Sequence, residues 1–238
     1  MTPTVEQALP WAADGAAHLR GMMTRMGDDA FAKPSSLPDW TRAHLLTHVA
    51  RNADALINLL TWARTGVPTP AYASMEQRNA DIEAGAKRPP AEIRADLLAS
   101  SDRLAAAVRK MPEEAWSTRV EFRGRRILAA DLLWLRAREV WIHAIDLDAG
   151  ASFADLPRPM LRELLTDAAG TLGARPDFPR LILAPSDESR TWTVGEGPDP
   201  LEVRGPAAEL AAWLLGRSKG RDLRTAEGKR PPALPSWL

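Results

Sequence analysis

Apolar residues recur at three- and four-residue spacing over the first two thirds of the chain, and this pattern predicts four long helices. The segments cover about residues 4–26, 39–65, 90–110 and 127–149, and each is bounded by proline, glycine or short polar breaks. We expect Asp39 to cap the second helix, Pro89 and Pro90 to precede the third, and Gly66 and Gly150 to mark helix ends. Four helices of this length predict a bundle.

A long connection, residues 66–89, joins the second and third helices and contains the polar sequence PTPAYASMEQRNADIEAG. Connections longer than about 12–15 residues in a compact domain are usually functional or ordered in their own right. We therefore expect this segment, which carries Tyr72, Arg78 and Asn79, to form a wall of the active site. A solvent-facing connection is the alternative.

The pattern changes after Gly150, where a helix at about 157–173 is followed by short apolar runs at 180–185, 190–194 and 201–205. Turn-forming residues separate these runs, which is typical of strands. A last helix is expected at about 206–216, and we expect Trp237 and Leu238 to pack back on the body. The predicted fold is α+β with two domains, a four-helix bundle over 1–150 and a small α/β domain over 151–238.

Composition and charge argue against several classes of binding partner. The chain has 238 residues and carries 31 Lys and Arg against 31 Asp and Glu, so no net charge favours nucleic acid or an anionic membrane surface. No apolar run reaches the roughly 18–20 residues that span a bilayer, and no secretory signal is recognisable. We therefore expect a cytoplasmic protein without nucleic-acid or membrane partners, and no obligate protein partner is evident. Cysteine is absent, so any sulfur chemistry requires an external thiol.

Two histidines and one glutamate are the candidate metal ligands. Glu139 and His143 lie one turn apart on one face of the apolar helix AADLLWLRAREVWIHAIDLDAG. His48 lies on the apolar side of the second helix, and bundle cores build metal sites from side chains on facing helices. A buried carboxylate needs a partner, and a divalent metal is one. Zinc with one open position, or non-haem iron with three, suits this set of ligands.

Glu139 also has a purely structural interpretation. It would then bond to His143 on its own helix. Alternatively, it would form an ion pair with Arg136 or Arg138, and His48 would be a hydrogen-bonded residue of the core.

His44 and His48, one turn apart, form an alternative half-site. Their helix lacks the glutamate that follows the first histidine in zinc proteases, so a protease is excluded. We expect His44 to be structural or to support the ligands, and His18 to be structural.

The sequence around these residues resembles the DinB-like superfamily of metal-binding helical bundles and, more closely, the mycothiol-dependent maleylpyruvate isomerases. The resemblance runs nearly end to end and is carried by WTRAHLLTHVARNADAL, TPAYASMEQRN, REVWIHAIDL, GRSKG and the terminal PSWL. It implies three ligands for zinc or another divalent metal, namely His48, Glu139 and His143. It also implies that Arg217, in the C-terminal domain, is the catalytic arginine. Lys219 and Arg221 make this segment more basic than the family pattern, so Arg221 is a second candidate for the anion contact.

The resemblance further implies a reaction, the cis to trans isomerisation of maleylpyruvate to fumarylpyruvate in gentisate breakdown. Mycothiol or another low-molecular-weight thiol would be the cosubstrate. The candidate residues for binding the small molecules are Tyr72, Arg78, Asn79 and Arg221. A metal-dependent thiol S-transferase of the same superfamily and a noncatalytic metal-binding module are the alternatives.

Overall fold

The computed structural model describes residues 2–235. Trp237 and Leu238, with their expected packing, and the last three residues of PSWL lie outside the described residues. The chain is α+β, as the sequence predicts. Packing divides it into two compact units, Met1–Gly150 and Ala151–Leu238. In the range 2–235 no helix is both long enough and apolar enough to cross a bilayer.

The first unit contains the helices α1 (Val5–Arg25), α2 (Arg42–Thr65), α3 (Met75–Ala86), α4 (Pro90–Arg109) and α5 (Asp131–Asp146). α1 packs along α5, α2 packs along α4, and α2 also contacts α3 and α5. Leu56, Leu59 and Leu132 are nearly inaccessible in the core shared by α2, α4 and α5. The four long helices are therefore those that apolar periodicity predicts.

Two residues expected to mark helix ends, Asp39 and Gly150, do not do so. Thr41, not Asp39, caps α2: its hydroxyl accepts from the backbone N–H of His44, and the His44 ring faces Thr41 in return. Asp39 adopts a left-handed conformation with φ 63° in the preceding turn. At the other end Gly66, with φ 74°, ends α2 as predicted, whereas α5 stops at Asp146, before Gly150.

The connection over 66–89 contains the helix α3, which apolar periodicity does not predict. Ser74 caps α3, because its hydroxyl accepts from the backbone N–H of Gln77. Only Ile82 and Gly85 of this helix are buried. A β-carbon at Gly85 would overlap the methyl group of Thr47 on α2, so glycine permits the close approach of the two helices.

A short hairpin, β1 (Arg119–Phe122) and β2 (Arg125–Leu128), precedes α5. Its two turn residues, Arg123 and Gly124, have φ of 51° and 73°, as the tight turn of a two-residue hairpin requires. The predicted helix over 127–149 is therefore too long at its start, because residues up to Leu128 pair as a strand.

The second unit contains two helices, α6 (Arg158–Gly173) and α7 (Ala207–Leu214), and a four-stranded sheet of β3 (Leu181–Pro185), β4 (Trp192–Val194), β5 (Leu201–Gly205) and β6 (Arg224–Thr225). The strand order is β4-β3-β5-β6; β3 and β5 are parallel, and the outer pairs are antiparallel. Both helices and the first three strands correspond to predicted segments. β6 is a two-residue strand that the sequence does not indicate.

Candidate metal centre

The three predicted ligands converge between α2 and α5. Oε2 of Glu139 lies 3.1 Å from Nε2 of His48 and 3.1 Å from Nε2 of His143. The two imidazole rings stand nearly perpendicular, with centroids 4.9 Å apart. One ligand atom from each residue lies within 4.8 Å of the other two, and no other group of three His, Asp or Glu side chains does so in residues 2–235.

These distances fit a divalent cation. Ligand bonds of about 2.0–2.2 Å in a tetrahedron place neighbouring ligand atoms about 3.4 Å apart, close to the two separations seen here. Two imidazole nitrogens and one carboxylate oxygen form a zinc-type set that leaves a fourth position open. His48 is nearly inaccessible, whereas the side chain of Glu139 is 25% exposed. The carboxylate therefore borders space that a small molecule can enter.

Electrostatics keeps Glu139 ionised. Burial alone would raise the pKa of its carboxyl group, but the hydrogen bonds with His143 and His48 outweigh burial and hold that pKa well below its ordinary value. The carboxylate is thus charged at neutral pH, as a ligand for a cation must be.

His143 is oriented from behind by Asp146. Nδ1 of His143 lies 3.0 Å from Oδ2 of Asp146, which is fully buried and also accepts from the Ser36 hydroxyl. Burial lowers the pKa of His143, but Asp146 and Glu139 more than compensate and raise it to about 9. A carboxylate behind a ligand histidine fixes its tautomer and leaves Nε2 directed at a metal. Asp146 is not among the predicted site residues, although its position three residues after His143 is visible in the sequence.

His48 is held differently. Burial lowers the pKa of His48 and, with the nearby His143 and Arg78, outweighs the hydrogen bond and charge of Glu139, which raise that pKa, so the ring is neutral. Nη2 of Arg78 lies 3.1 Å from Nδ1 of His48. A guanidinium can only donate, so Nδ1 accepts and the ring proton is on Nε2, facing Glu139.

Arg78 connects the α3 segment to the centre. Its guanidinium lies 5.9 Å from the centroid of the Tyr72 ring, and its Nη1 donates to Oδ1 of the exposed Asn79 at 2.9 Å. Nε of Arg78 is buried and has no hydrogen-bond partner within residues 2–235. Burial raises the pKa of Tyr72, so its hydroxyl is neutral.

The other two histidines are not part of this convergence. Nδ1 of His44 lies 2.7 Å from the Thr41 hydroxyl at the start of α2, and its Nε2 is 3.4 Å from Glu83. His18 stacks on Trp141 with ring centroids 5.0 Å apart. The two rings therefore serve a helix cap and a packing contact.

Arg136 does not pair with Glu139. It lies on α5 and is only 3% exposed. Its Nη1 donates to the Val49 carbonyl at 2.9 Å and to Oδ1 of Asn52 at 2.8 Å, both on α2. The sequence suggests Arg136 only as a partner for Glu139, because its apolar neighbours along the chain give no indication of a contact across to α2.

Arg217 and Arg221 lie in the second unit, after α7. Nη1 of the half-buried Arg217 donates to the Leu215 carbonyl at 2.9 Å, the contact expected of a cation at a helix end. The side chain of Arg221 is exposed. Gly216, with φ 76°, and Gly220, with φ 63°, bracket the segment, and both positions favour glycine.

Comparison with known proteins gives consistent matches. Residues 12–148 match the family model of the mycothiol maleylpyruvate isomerase N-terminal domain, and residues 155–235 match that of the MDMPI C-terminal domain. A crystal structure of the mycothiol-dependent maleylpyruvate isomerase is 36% identical, with a TM-score of 0.92, over 99% of this chain and 98% of that chain. A point mutant of that isomerase matches at 35% identity with the same TM-score and coverage. No curated protein sequence matches at a significant level.

Proposed function

The chain belongs to the mycothiol maleylpyruvate isomerase family, and on that basis we propose that it isomerises maleylpyruvate to fumarylpyruvate with a thiol cosubstrate. The thiol that we propose is mycothiol, and the step is one of gentisate breakdown. The observation that carries the proposal is the convergence of His48, Glu139 and His143 beside a partly exposed carboxylate. A site of this kind can hold a metal with three protein ligands and leaves room for a small molecule as a further ligand.

Zinc is the metal that we propose for these three residues. The two nitrogens and one oxygen match its preference, and the open position is typical of catalytic rather than structural zinc. When bound, such a cation lowers the pKa of an incoming thiol and so supplies a thiolate at neutral pH. The chain contains no cysteine, so the sulfur belongs to the diffusible cosubstrate.

The reaction needs no net consumption of thiol. The thiolate adds to one carbon of the cis double bond, and the π electrons move onto the conjugated carbonyl to give an enolate. The former double bond is now single and rotates. The enolate electrons then restore the double bond in its trans form and expel the thiolate.

Arg78 is proposed to bind an anionic group of the thiol or substrate. Its buried Nε lacks a partner within residues 2–235, and its Nη2 occupies Nδ1 of His48. When Nε2 of His48 is a metal ligand, the ring proton must be on Nδ1, which then cannot accept from Arg78. The guanidinium is thereby released for an anion, with Tyr72 and Asn79 beside it.

Arg217 is proposed to stabilise the charge that develops on the keto-acid during addition. A planar guanidinium suits this role, because it grips a carboxylate or enolate with two parallel hydrogen bonds. The glycines on either side of the segment support the assignment. Arg221 is the second candidate for the same contact.

The test uses purified protein reconstituted with Zn²⁺ and mixed with maleylpyruvate and mycothiol, glutathione, cysteine or bacillithiol in turn. Chromatography follows the trans product, and a thiol assay measures consumption. We expect product formation without loss of free thiol, and none with Glu139→Gln, which removes the charged ligand. Stoichiometric thiol loss would instead indicate an S-transferase, and inertness with every thiol would indicate a noncatalytic module.

A further inference from the structure

Arg136 is a buried cation next to the metal centre that the proposed chemistry leaves unused. It precedes Glu139 by three residues and His143 by seven, so the three side chains follow one face of α5. Its partner Asn52 follows His48 by one turn on α2. Arg136 therefore lies one turn beyond the ligands along both helices.

The guanidinium is incompletely satisfied. Both of its hydrogen bonds run from Nη1, to two neutral acceptors, and no carboxylate lies within ion-pair distance of it in the described part of the chain. Nε and Nη2 donate to no described residue, and neither is fully enclosed. A buried charge without a counter-ion is costly, and an anion that arrives as a ligand would offset this cost.

The surroundings indicate where that anion would bind. Burial lowers the pKa of Arg136 to about 10, against the influence of Glu139 and Tyr72, so the group stays charged at neutral pH. Glu139 and Tyr72 also border Arg78 and the ligand cluster. The free nitrogens of Arg136 thus share their surroundings with the centre at which the proposed substrate reacts.

We propose that Arg136 is a specificity-determining residue that binds the carboxylate at the α-keto end of the substrate through Nε and Nη2. The inference rests on the proposed function. Three residues of helix separate Arg136 from Glu139 by about 4.5 Å along the axis. The α-keto carboxylate is four carbon–carbon bonds from the nearer alkene carbon, whereas the other carboxylate is directly attached to the alkene. A contact one turn beyond the metal therefore suits the distant carboxylate.

A purely structural role for Arg136, tying α5 to α2, makes a different prediction. Removal of the Asn52 amide would weaken that tie but keep the cation. Asn52→Ala is therefore the matched control for Arg136→Met, which removes the charge and keeps the length of the side chain. If the tie alone matters, the two variants share one phenotype, a loss of stability without a change in substrate preference.

The first measurement compares maleylpyruvate with the analogue that has a methyl group in place of the α-keto carboxylate. We expect wild-type kcat/KM to favour maleylpyruvate by about 10- to 100-fold, the range for a hydrogen bond to a charged group. Arg136→Met should reduce this ratio to near one and leave the thiol KM and metal content unchanged. Asn52→Ala should keep the wild-type ratio within about threefold. An unchanged ratio in Arg136→Met would overturn the proposal.

If Arg136→Met does not fold, two further measurements still test the proposal. Arg136→Lys keeps a cation but loses the planar fork, and we expect a ratio between those of wild type and Arg136→Met. A crystal structure of the zinc-loaded wild type with fumarylpyruvate, without thiol, should place a carboxylate against Nη2 of Arg136. Both carboxylates bound elsewhere would refute the assignment. Absence of isomerisation by the wild type with every thiol would instead refute the proposed function.

Discussion

Metal uptake should release about one proton per chain at pH 7, and His143 should be its source. With a pKa of about 9, His143 is protonated in about 99% of metal-free molecules at pH 7. Glu139 is already ionised and His48 already neutral, so neither changes the count. A ligand nitrogen must lose its proton before it can bind a metal. The affinity for Zn²⁺ should therefore rise about tenfold per pH unit between pH 7 and 9, and level off above.

Calorimetric titration with Zn²⁺ in buffers of different ionisation enthalpy counts the protons directly. Asp146→Asn removes the strongest partner that raises the pKa of His143, so the count at pH 8 should fall below that of the wild type. Asp148→Asn, an exposed carboxylate two residues further on, is the matched control and should behave as wild type. Release of less than about one third of a proton at pH 7, or a pH-independent affinity, would refute the reasoning.

The same raised pKa makes the stability of the metal-free protein depend on pH. The protonated form of His143 is favoured in the folded state, so its contribution is complete below about pH 6.5, the ordinary value. It is lost as the pH rises through about 9. Thermal unfolding of the metal-free protein should therefore shift to lower temperature between these values, and less so in Asp146→Asn.

Four substitutions test the remaining assignments. His48→Ala should weaken metal binding by more than about 100-fold in metal analysis and abolish activity in the isomerase assay. Full metal content together with full activity would exclude His48 as a ligand. Arg78→Met should tighten Zn²⁺ binding by removing a nearby cation, and raise the KM for thiol or substrate; unchanged saturation by both would make α3 a solvent-facing connection. Arg217→Lys should lower turnover by about 100- to 1000-fold, with metal content and melting temperature unchanged. Near-normal turnover in both Arg217→Lys and Arg217→Ala would instead make Arg221 the candidate for this contact. Gly85→Ala should lower the free energy of unfolding in denaturant by about 1–3 kcal/mol, because the added methyl group overlaps Thr47. Gly170→Ala is the control, because nothing lies near its β-carbon position, and equal effects of the two substitutions would contradict the close packing of α2 and α3.

Periodicity predicts the long helices because each buries a continuous stripe. α3 escapes this reasoning because only Ile82 and Gly85 of its residues are buried, so no stripe exists. The hairpin before α5 was missed because its strands have only four residues each and because β2 carries charged side chains, Arg125 and Arg126, on both faces. The N-cap was misassigned because Asp39 and Thr41 are both good caps, and the choice depends on where the turn before α2 closes.

The convergence of His48, Glu139 and His143 was predictable because the chain has only four histidines and because Glu139 and His143 lie one turn apart on one helix. Asp146 was not predicted, although it lies three residues after His143 on the same helix. The contacts of Arg136 were not predicted, because they depend on which helix lies opposite. Asp146 is defined by a bond to a ligand and by Ser36 from the segment before α2. The proposal for Arg136 depends on Nε and Nη2 having no acceptor among the described residues, and a sequence pattern does not record such an absence.

Because only two residues of α3 are buried, this helix should unfold locally more easily than its neighbours. A helix that buries two residues opens locally at low free energy, far below that of global unfolding. Its amides should therefore exchange with deuterium well before those of α2, whose residues are mostly buried. Because Arg78 is on this helix, an anion that captures its guanidinium would also slow that exchange. If Arg78 binds the anion as proposed, ligand binding would order the helix that carries it.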